Sequence, residues 1–369
     1  MIQRFLLVGL SLVLGLLLAG CGADEPRRLG FLGAMSGHYA DLGLTGRNGA
    51  LLAVEQRNAA GGIRGRPVEL LIRDDAQHPE TAVKAVQELR AARVELLIGP
   101  LTSEMASAIL PVAEQAGLIM ISPIAAATSL AGRDDALFRL GSTGRDYARI
   151  SADFYYHSLG LRRIAVIYDM RNRTFADDMQ REFHTAFSAL GGVITLTLPF
   201  TSTADVHFTD LARTLLDSQP DALLFITNAL DTVRLCQQAR KQAPNLPLMA
   251  TVWAATEQLV ELGGRDVEGL YLAQLFNRED TTPRYQAFHD AYRQRFQQEP
   301  GFVSLAAYDA ANIALEALSR RTAVQSLKET LLQGSFTGAQ QTITFDPFGD
   351  ASRQSLMTMI RNGRFVIIP

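Results

Sequence analysis

The amino-acid sequence predicts an α/β protein of two lobes, each built on a parallel sheet covered by helices. Three observations predict it. From Leu29 onward short apolar runs alternate with helical segments, the pattern of βαβ units. The alternation occurs as two successive series. The chain also has 369 residues, more than one hydrophobic core comfortably fills, since cores stop growing at about 250–300 residues.

The first series reads "LGFLGAM", "GRNGALLAVEQRNAA", "VELLIRD", "PETAVKAVQELRAA", "VELLIGP", "SEMASAILPVAEQAG" and "LIMISP". Its punctuation agrees with its periodicity. Gly61-Gly62 ends the first helix, Pro79 suits the first turn of the second, and Gly117 ends the third, each by the backbone freedom or constraint that such positions require. The second series begins with "RIAVIYD" and runs through "RTFADDMQREFHTAFSALGG", "VITLTLPF", "DVHFTDLARTLLDSQP", "DALLFITN", "LDTVRLCQQARKQA", "LPLMATVW" and "VEGLYLAQLF". After Phe276 come two helical stretches, "TPRYQAFHDAYRQRFQQ" and "SLAAYDAANIALEALSRR". A small polar β-rich end follows, with a turn marked by Asp346-Pro347 and Gly349-Asp350.

Ahead of the fold stands "MIQRFLLVGLSLVLGLLLAGC", with Arg4 followed by an apolar run from Phe5 to Leu18. The run is shorter than the ~20 residues that span a bilayer and suits the apolar region of a signal peptide. Directly after it, Leu18-Ala19-Gly20-Cys21 resembles the bacterial lipobox. Residues 1–20 are therefore expected to be removed, Cys21 to be lipidated, and 21–28 to act as a tether; a plain secretory signal with an incidental Cys is the other reading. Several acyl chains, at ~0.8 kcal/mol per CH₂, would hold the protein to a membrane outside the cytoplasm. The second cysteine, Cys236, shares a helix face with Val233 and reads as a buried core thiol, not a nucleophile.

Composition narrows the function. A net charge of −3 with 20% charged residues leaves no basic field for phosphates, so nucleic acid is not an expected partner. "GAMSG" and "GSFTG" lack the spacing of a nucleophile elbow, and neither a P-loop nor a G-x-G-x-x-G occurs. The six histidines lack ligand spacing, so no metal, cofactor or enzymatic activity is expected. Asp74-Asp75 reads as a turn or cap before it reads as a catalytic pair, because adjacent strand residues face opposite ways.

Placement is more informative. In open α/β sheets, ligands settle beyond the carboxyl ends of the strands, where helix N-termini present free N–H groups. "VELLIGP" leads into Leu101-Thr102-Ser103, and "LIMIS" leads into "ISPIAAATSL". Two neighbouring strands thus deliver a hydroxyl-rich helix start and a small-residue wall to one place. Helix capping by Thr102 or Ser103 is the competing reading.

These residues carry a resemblance. "GAMSG" at 33–37, "TGRNGALLAVEQRNAAGGIRGRPVELLIRDDAQHPETAV" at 45–83, "LIGPLTS" at 97–103, "ISPIAAATSL", "RIAVIYD" at 163–169 and "EGLYLAQLF" at 268–276 resemble, in order and spacing, the type I periplasmic binding proteins. The group is the leucine/isoleucine/valine-binding one that serves ABC importers. The resemblance implies two Rossmann-like lobes joined by a three-strand hinge, with a small-molecule ligand clamped between them. It divides the chain into 29–143 plus 277–350 and 144–276 plus 351–369. It also implies a monomer that delivers its ligand to an ABC permease complex; a sensor signalling to a membrane receptor partner is the alternative.

Carried over by position, the family's ligand contacts fall on Leu101, Thr102, Ser103, Ala125 and Ala126 in the first lobe. Backbone N–H groups and hydroxyls there would hold the ligand's carboxylate. In the second lobe they fall on Phe175, Asn228, Val252 and Trp253, and Trp253 reads equally as a lid or as core. The sequence departs from the family in two ways. Ala126 stands where the family usually has a Thr hydroxyl, with Thr128 a possible substitute. No carboxylate stands near Val252, where one would pair with a ligand's α-ammonium, unless Asp231, Glu257 or Glu104 reaches in. A buried unpaired charge costs about 3–5 kcal/mol, so a hydrophobic or aromatic amino acid competes with a carboxylate or amide that lacks the ammonium.

Overall fold

The computed structural model describes residues 25–368; Cys21 and the apolar segment before it lie outside the described residues. Strand and helix alternate through β1 (Arg27–Gly33), α1 (Ala40–Ala59), β2 (Val68–Asp74), α2 (Pro79–Ala91), β3 (Leu96–Ile98), α3 (Ser103–Ala116), β4 (Met120–Ser122) and β5 (Leu137–Arg139). The second series follows as α4 (Gly144–Asp153), β6 (Arg163–Asp169), α5 (Arg173–Ala189), β7 (Val193–Phe200), α6 (Phe208–Asp217), β8 (Ala222–Ile226), α7 (Ala229–Gln242), β9 (Leu248–Ala250), α8 (Glu257–Gly263) and β10 (Tyr271–Gln274). The remainder comprises α9 (Pro283–Phe296), α10 (Phe302–Arg320), α11 (Leu327–Leu332), β11 (Ser335–Thr337), β12 (Thr342–Thr344), β13 (Leu356–Arg361) and β14 (Arg364–Ile367).

The first sheet has the order β2-β1-β3-β4-β5, and all its pairings are parallel. Helices cover both faces of such a sheet, so its central strands are mainly apolar; β3 and β4 are fully buried. The second sheet has the order β14-β13-β10-β9-β8-β6-β7. Its strands from β10 to β7 are parallel, while β13 and β14 are antiparallel. The last two strands thus add an antiparallel edge to the expected parallel sheet. Asn362 (φ 52°) and Gly363 (φ 66°) supply the two left-handed residues of a tight hairpin turn, and a chain reversing so sharply must pair antiparallel.

The first strand also begins earlier than Leu29. Arg27 and Arg28 pair with Val68 and Glu69 in β2, and their guanidinium groups meet Glu95 at 2.8 Å and Glu69 at 3.1 Å. Side-chain neutralisation lets two basic residues open a strand that sequence pattern assigns to a tether.

Three crossovers link the sheets: after β5, after β10 and after β12. The middle one carries α9 and α10 back onto the first sheet, where α10 packs along α1. Contact there is backbone to backbone, since a Cβ on Gly49 would lie 2.0 Å from the Ser304 carbonyl oxygen. That close approach brings Phe302, Leu305 and Ala306 against the space between the sheets.

Candidate ligand-binding cleft

Strand order reverses between β1 and β3 in the first sheet and between β6 and β8 in the second, which makes the carboxyl ends of both the natural place for a crevice. Residues beyond those ends line one cleft of about 640 Å³, its open mouth included. Leu101, Thr102 and Ser103 follow β3; Pro123, Ile124 and Ala126 follow β4; Gly141 follows β5. Opposite them, Asn172 and Phe175 follow β6, Val252 and Trp253 follow β9, and Leu275 and Phe276 follow β10. Seven of the nine sequence-predicted contacts are therefore brought together: Leu101, Thr102, Ser103, Ala126, Phe175, Val252 and Trp253.

The other two are not. Asn228 is buried as the N-cap of α7; its Oδ1 accepts from Asp231 N at 3.0 Å and its Nδ2 donates to Asp231 Oδ2 at 2.9 Å. Ala125 donates its backbone N–H to Ser122 Oγ at 3.1 Å and is not among the lining residues. Thr128 does not line the cleft either; its Oγ1 accepts from Arg145 N at 3.0 Å, at the start of α4.

The small-residue wall is held differently from expectation. Ser103 Oγ accepts from Ala126 N at 3.1 Å and from Ala127 N at 3.0 Å, because buried N–H groups must be paired. The Ala126 and Ala127 donors are thereby occupied, and the Ser103 hydroxyl proton is left uncommitted. Two N–H groups bonded to the same oxygen polarise that proton and strengthen it as a donor. Thr102 Oγ1 is committed elsewhere: it accepts from Met105 N at the start of α3 and donates to Gln77 Oε1 at 3.0 Å. Capping is what the Thr102 side chain does.

Trp253 joins the lobes. Its ring stacks on Tyr39 at 5.7 Å between centroids, with the planes 16° apart, and meets Phe175 edge-on at 6.0 Å. Its buried Nε1 has no hydrogen-bond partner among the described residues. Around it, hydrogen bonds run from lobe to lobe. Tyr39 Oη donates to Asp169 Oδ2 at 2.6 Å, Thr174 N and Oγ1 donate to Glu104 Oε2 at 2.8 and 2.6 Å, and Thr256 Oγ1 donates to Asp41 Oδ2 at 2.9 Å. Burial raises the Asp169 and Asp41 carboxyls above their ordinary range, opposed by the hydrogen bonds from Tyr39 and Thr256.

Sequence pattern passes over Tyr147, Phe276, Phe302 and, most consequentially, Arg353, all of which line the cleft. Arg353 is the only charged lining residue among the described residues. Its side chain is 3% exposed, Nη2 lies 3.7 Å from Asp309 Oδ2, and neither Nε nor Nη2 makes a hydrogen bond among the described residues. Burial raises the Asp309 carboxyl to about 6, with the Arg353 charge opposing the rise. Nothing local marks Arg353, which stands in the loop "ASRQS" without periodicity or motif.

The three carboxylates named as partners for a ligand's ammonium are engaged elsewhere. Asp231 bonds Asn228 and Arg234, Glu257 pairs with Arg278 at 2.6 Å, and Glu104 holds Thr174. None lines the cleft, and no other Asp or Glu among the described residues does. No cluster of three or more metal-ligating side chains occurs among the described residues.

Comparison with known proteins agrees with this architecture. The family model described as periplasmic binding protein matches residues 26–364. The leucine-, isoleucine-, valine-, threonine- and alanine-binding protein of Pseudomonas aeruginosa is 24% identical over 333 residues, covering 89% of this chain and 88% of the relative. A branched-chain amino acid transporter substrate-binding protein of Streptococcus pneumoniae, solved in complex with isoleucine, superposes with a TM-score of 0.85 at 23% identity, covering 93% of this chain and 99% of that one. A solute-binding protein of an ABC transporter from R. palustris, solved with benzoate, superposes with a TM-score of 0.83 at 18% identity, covering 93% and 96%. The fold, the cleft between its lobes and the family match over nearly the whole described chain lead to one conclusion: the protein belongs to the periplasmic binding protein family and has its type I fold.

Proposed function

We propose that the protein captures a small, largely apolar solute in the interlobe cleft and delivers it to an ABC permease. The solute is a hydrophobic amino acid or a related carboxylate or amide. Residues 29–143 with 277–350 form one moving body and 144–276 with 351–369 the other. The observation that carries this reading is the meeting of Tyr39 and Trp253 across the cleft, which makes closure and ligand enclosure one event. The curated relative's substrates are amino acids, and family membership supports an extracytoplasmic location. Lipidation at Cys21 would tether the protein there as a monomer.

Small-angle scattering with and without solute tests the clamp. Contraction at saturating ligand is expected, and an unchanged profile alongside measured binding would count against it. Cys21→Ser tests the tether. The variant is expected in the soluble extracytoplasmic fraction, whereas persistence in membranes would rule the anchor out.

A further inference from the structure

We propose that Arg353 is the anion anchor of the cleft and that the solute is a compact apolar monocarboxylate, aryl or branched alkyl, without an α-ammonium. The inference rests on the solute-binding reading and narrows it.

The buried side-chain atoms of the cleft that lack partners among the described residues are donors. Arg353 Nε and Nη2 and Trp253 Nε1 are buried without partners, and the Ser103 hydroxyl proton is uncommitted. Among the described residues, no lining residue is Asp or Glu. A guanidinium buried to 3% exposure needs bidentate acceptors, and Asp309 at 3.7 Å is beyond hydrogen-bond length. Asp309 compensates the charge at a distance and leaves the guanidinium donors to a ligand. A carboxylate, with two acceptor oxygens, matches those donors.

The remaining surface fixes the rest of the ligand. Tyr147, Phe175, Trp253, Phe276 and Phe302 make the walls largely aromatic, which suits a ring or a branched alkyl group. A zwitterionic amino acid would place its ammonium in the same enclosed space with no carboxylate to receive it and a guanidinium nearby. Such an unpaired buried charge lowers affinity by two to three orders of magnitude.

Isothermal titration of the mature protein with benzoate, 4-methylpentanoate, L-leucine and benzamide tests the proposal. At least one acid is expected to bind 100-fold or more tighter than leucine or benzamide. Arg353→Gln should weaken that acid at least 30-fold while changing benzamide less than threefold. Asp309→Asn, which frees the guanidinium, should tighten the acid three- to tenfold, an effect that a purely structural pair would not give, and it decides the matter if Arg353→Gln does not fold. Leucine binding as tightly as the acids, or acid affinity unmoved by both variants, overturns the anchor and leaves solute binding intact. If none of the four compounds binds, the ligand class is wrong. A thermal-shift screen of a broad solute library then judges the parent reading separately: a hit preserves it, and no hit removes both.

Discussion

Arg353 Nη2 stands 3.7 Å from Asp309 Oδ2, both side chains are at most 3% exposed, and no hydrogen bond joins them. The two charges moderate one another without being consumed. Burial raises Asp309 to about 6, while Arg353 and, more weakly, Arg284 and the Ala339 N–H favour its charged form. An acid ligand with an ordinary carboxyl pKa remains ionised down to about pH 5. As pH falls from 8 to 5, Asp309 gains its proton, the guanidinium loses its competitor, and acid affinity is expected to rise about three- to tenfold.

The sign for stability is the reverse of a salt-bridged acid. A carboxyl whose folded pKa lies above its unfolded value of about 3.8 penalises the fold at neutral pH, and the penalty is relieved as pH falls through about 6. Asp309→Asn should therefore flatten the affinity profile and remove that contribution to the pH dependence of Tm. Calorimetric titrations from pH 5 to 8 with both proteins check this.

Tyr39→Phe keeps the stacking on Trp253 and deletes the 2.6 Å hydrogen bond to Asp169. A hydrogen bond to a charged partner contributes about 1.5–3 kcal/mol, which corresponds to roughly 10- to 100-fold if the bond forms only on closure. Faster ligand release in stopped flow is the expected outcome. An unchanged off-rate would show that this bond persists in the open state.

Thr102 and Ser103 are adjacent but should separate cleanly. Thr102→Val removes the N-cap of α3 and the bond to Gln77, with an expected loss of about 0.5–2 kcal/mol of stability and little change in ligand affinity. Ser103→Ala orphans the Ala126 and Ala127 N–H groups and deletes the hydroxyl donor, so affinity should fall at least tenfold. Chemical denaturation paired with calorimetry distinguishes the two.

Gly49→Ala would set a Cβ 2.0 Å from the Ser304 carbonyl oxygen. Because backbone faces backbone, α1 and α10 must separate, and overpacking of this kind costs about 1–3 kcal/mol. A lower Tm is expected with the order of ligand preference unchanged. A variant that melts with the wild type would show that the helices adjust freely.

How much of this was legible beforehand follows from which physics is local. The alternation of "VELLIGP" and "LIMISP" with helical segments encodes the first sheet, and the ends of those two strands locate half the cleft. Asn228 was named by its position in the family resemblance, and only its bonds to Asp231 show that its side chain caps α7. The Asn362-Gly363 turn was written in the sequence as an N-G pair and could have announced the antiparallel edge. Arg353 was not legible at all. Its role depends on Asp309, 44 positions earlier on α10 (353 − 309), and on a crossover that no local pattern specifies.

The chain's single tryptophan lines the cleft, so Trp253 emission tests the central claim most directly. Titration with 4-methylpentanoate, which does not absorb at the excitation wavelength, should give a saturable change whose midpoint matches calorimetry, with at least a 30-fold weaker midpoint in Arg353→Gln. Calorimetric binding with unchanged Trp253 emission, or the same midpoint in both proteins, would contradict an acid held between Arg353 and Trp253.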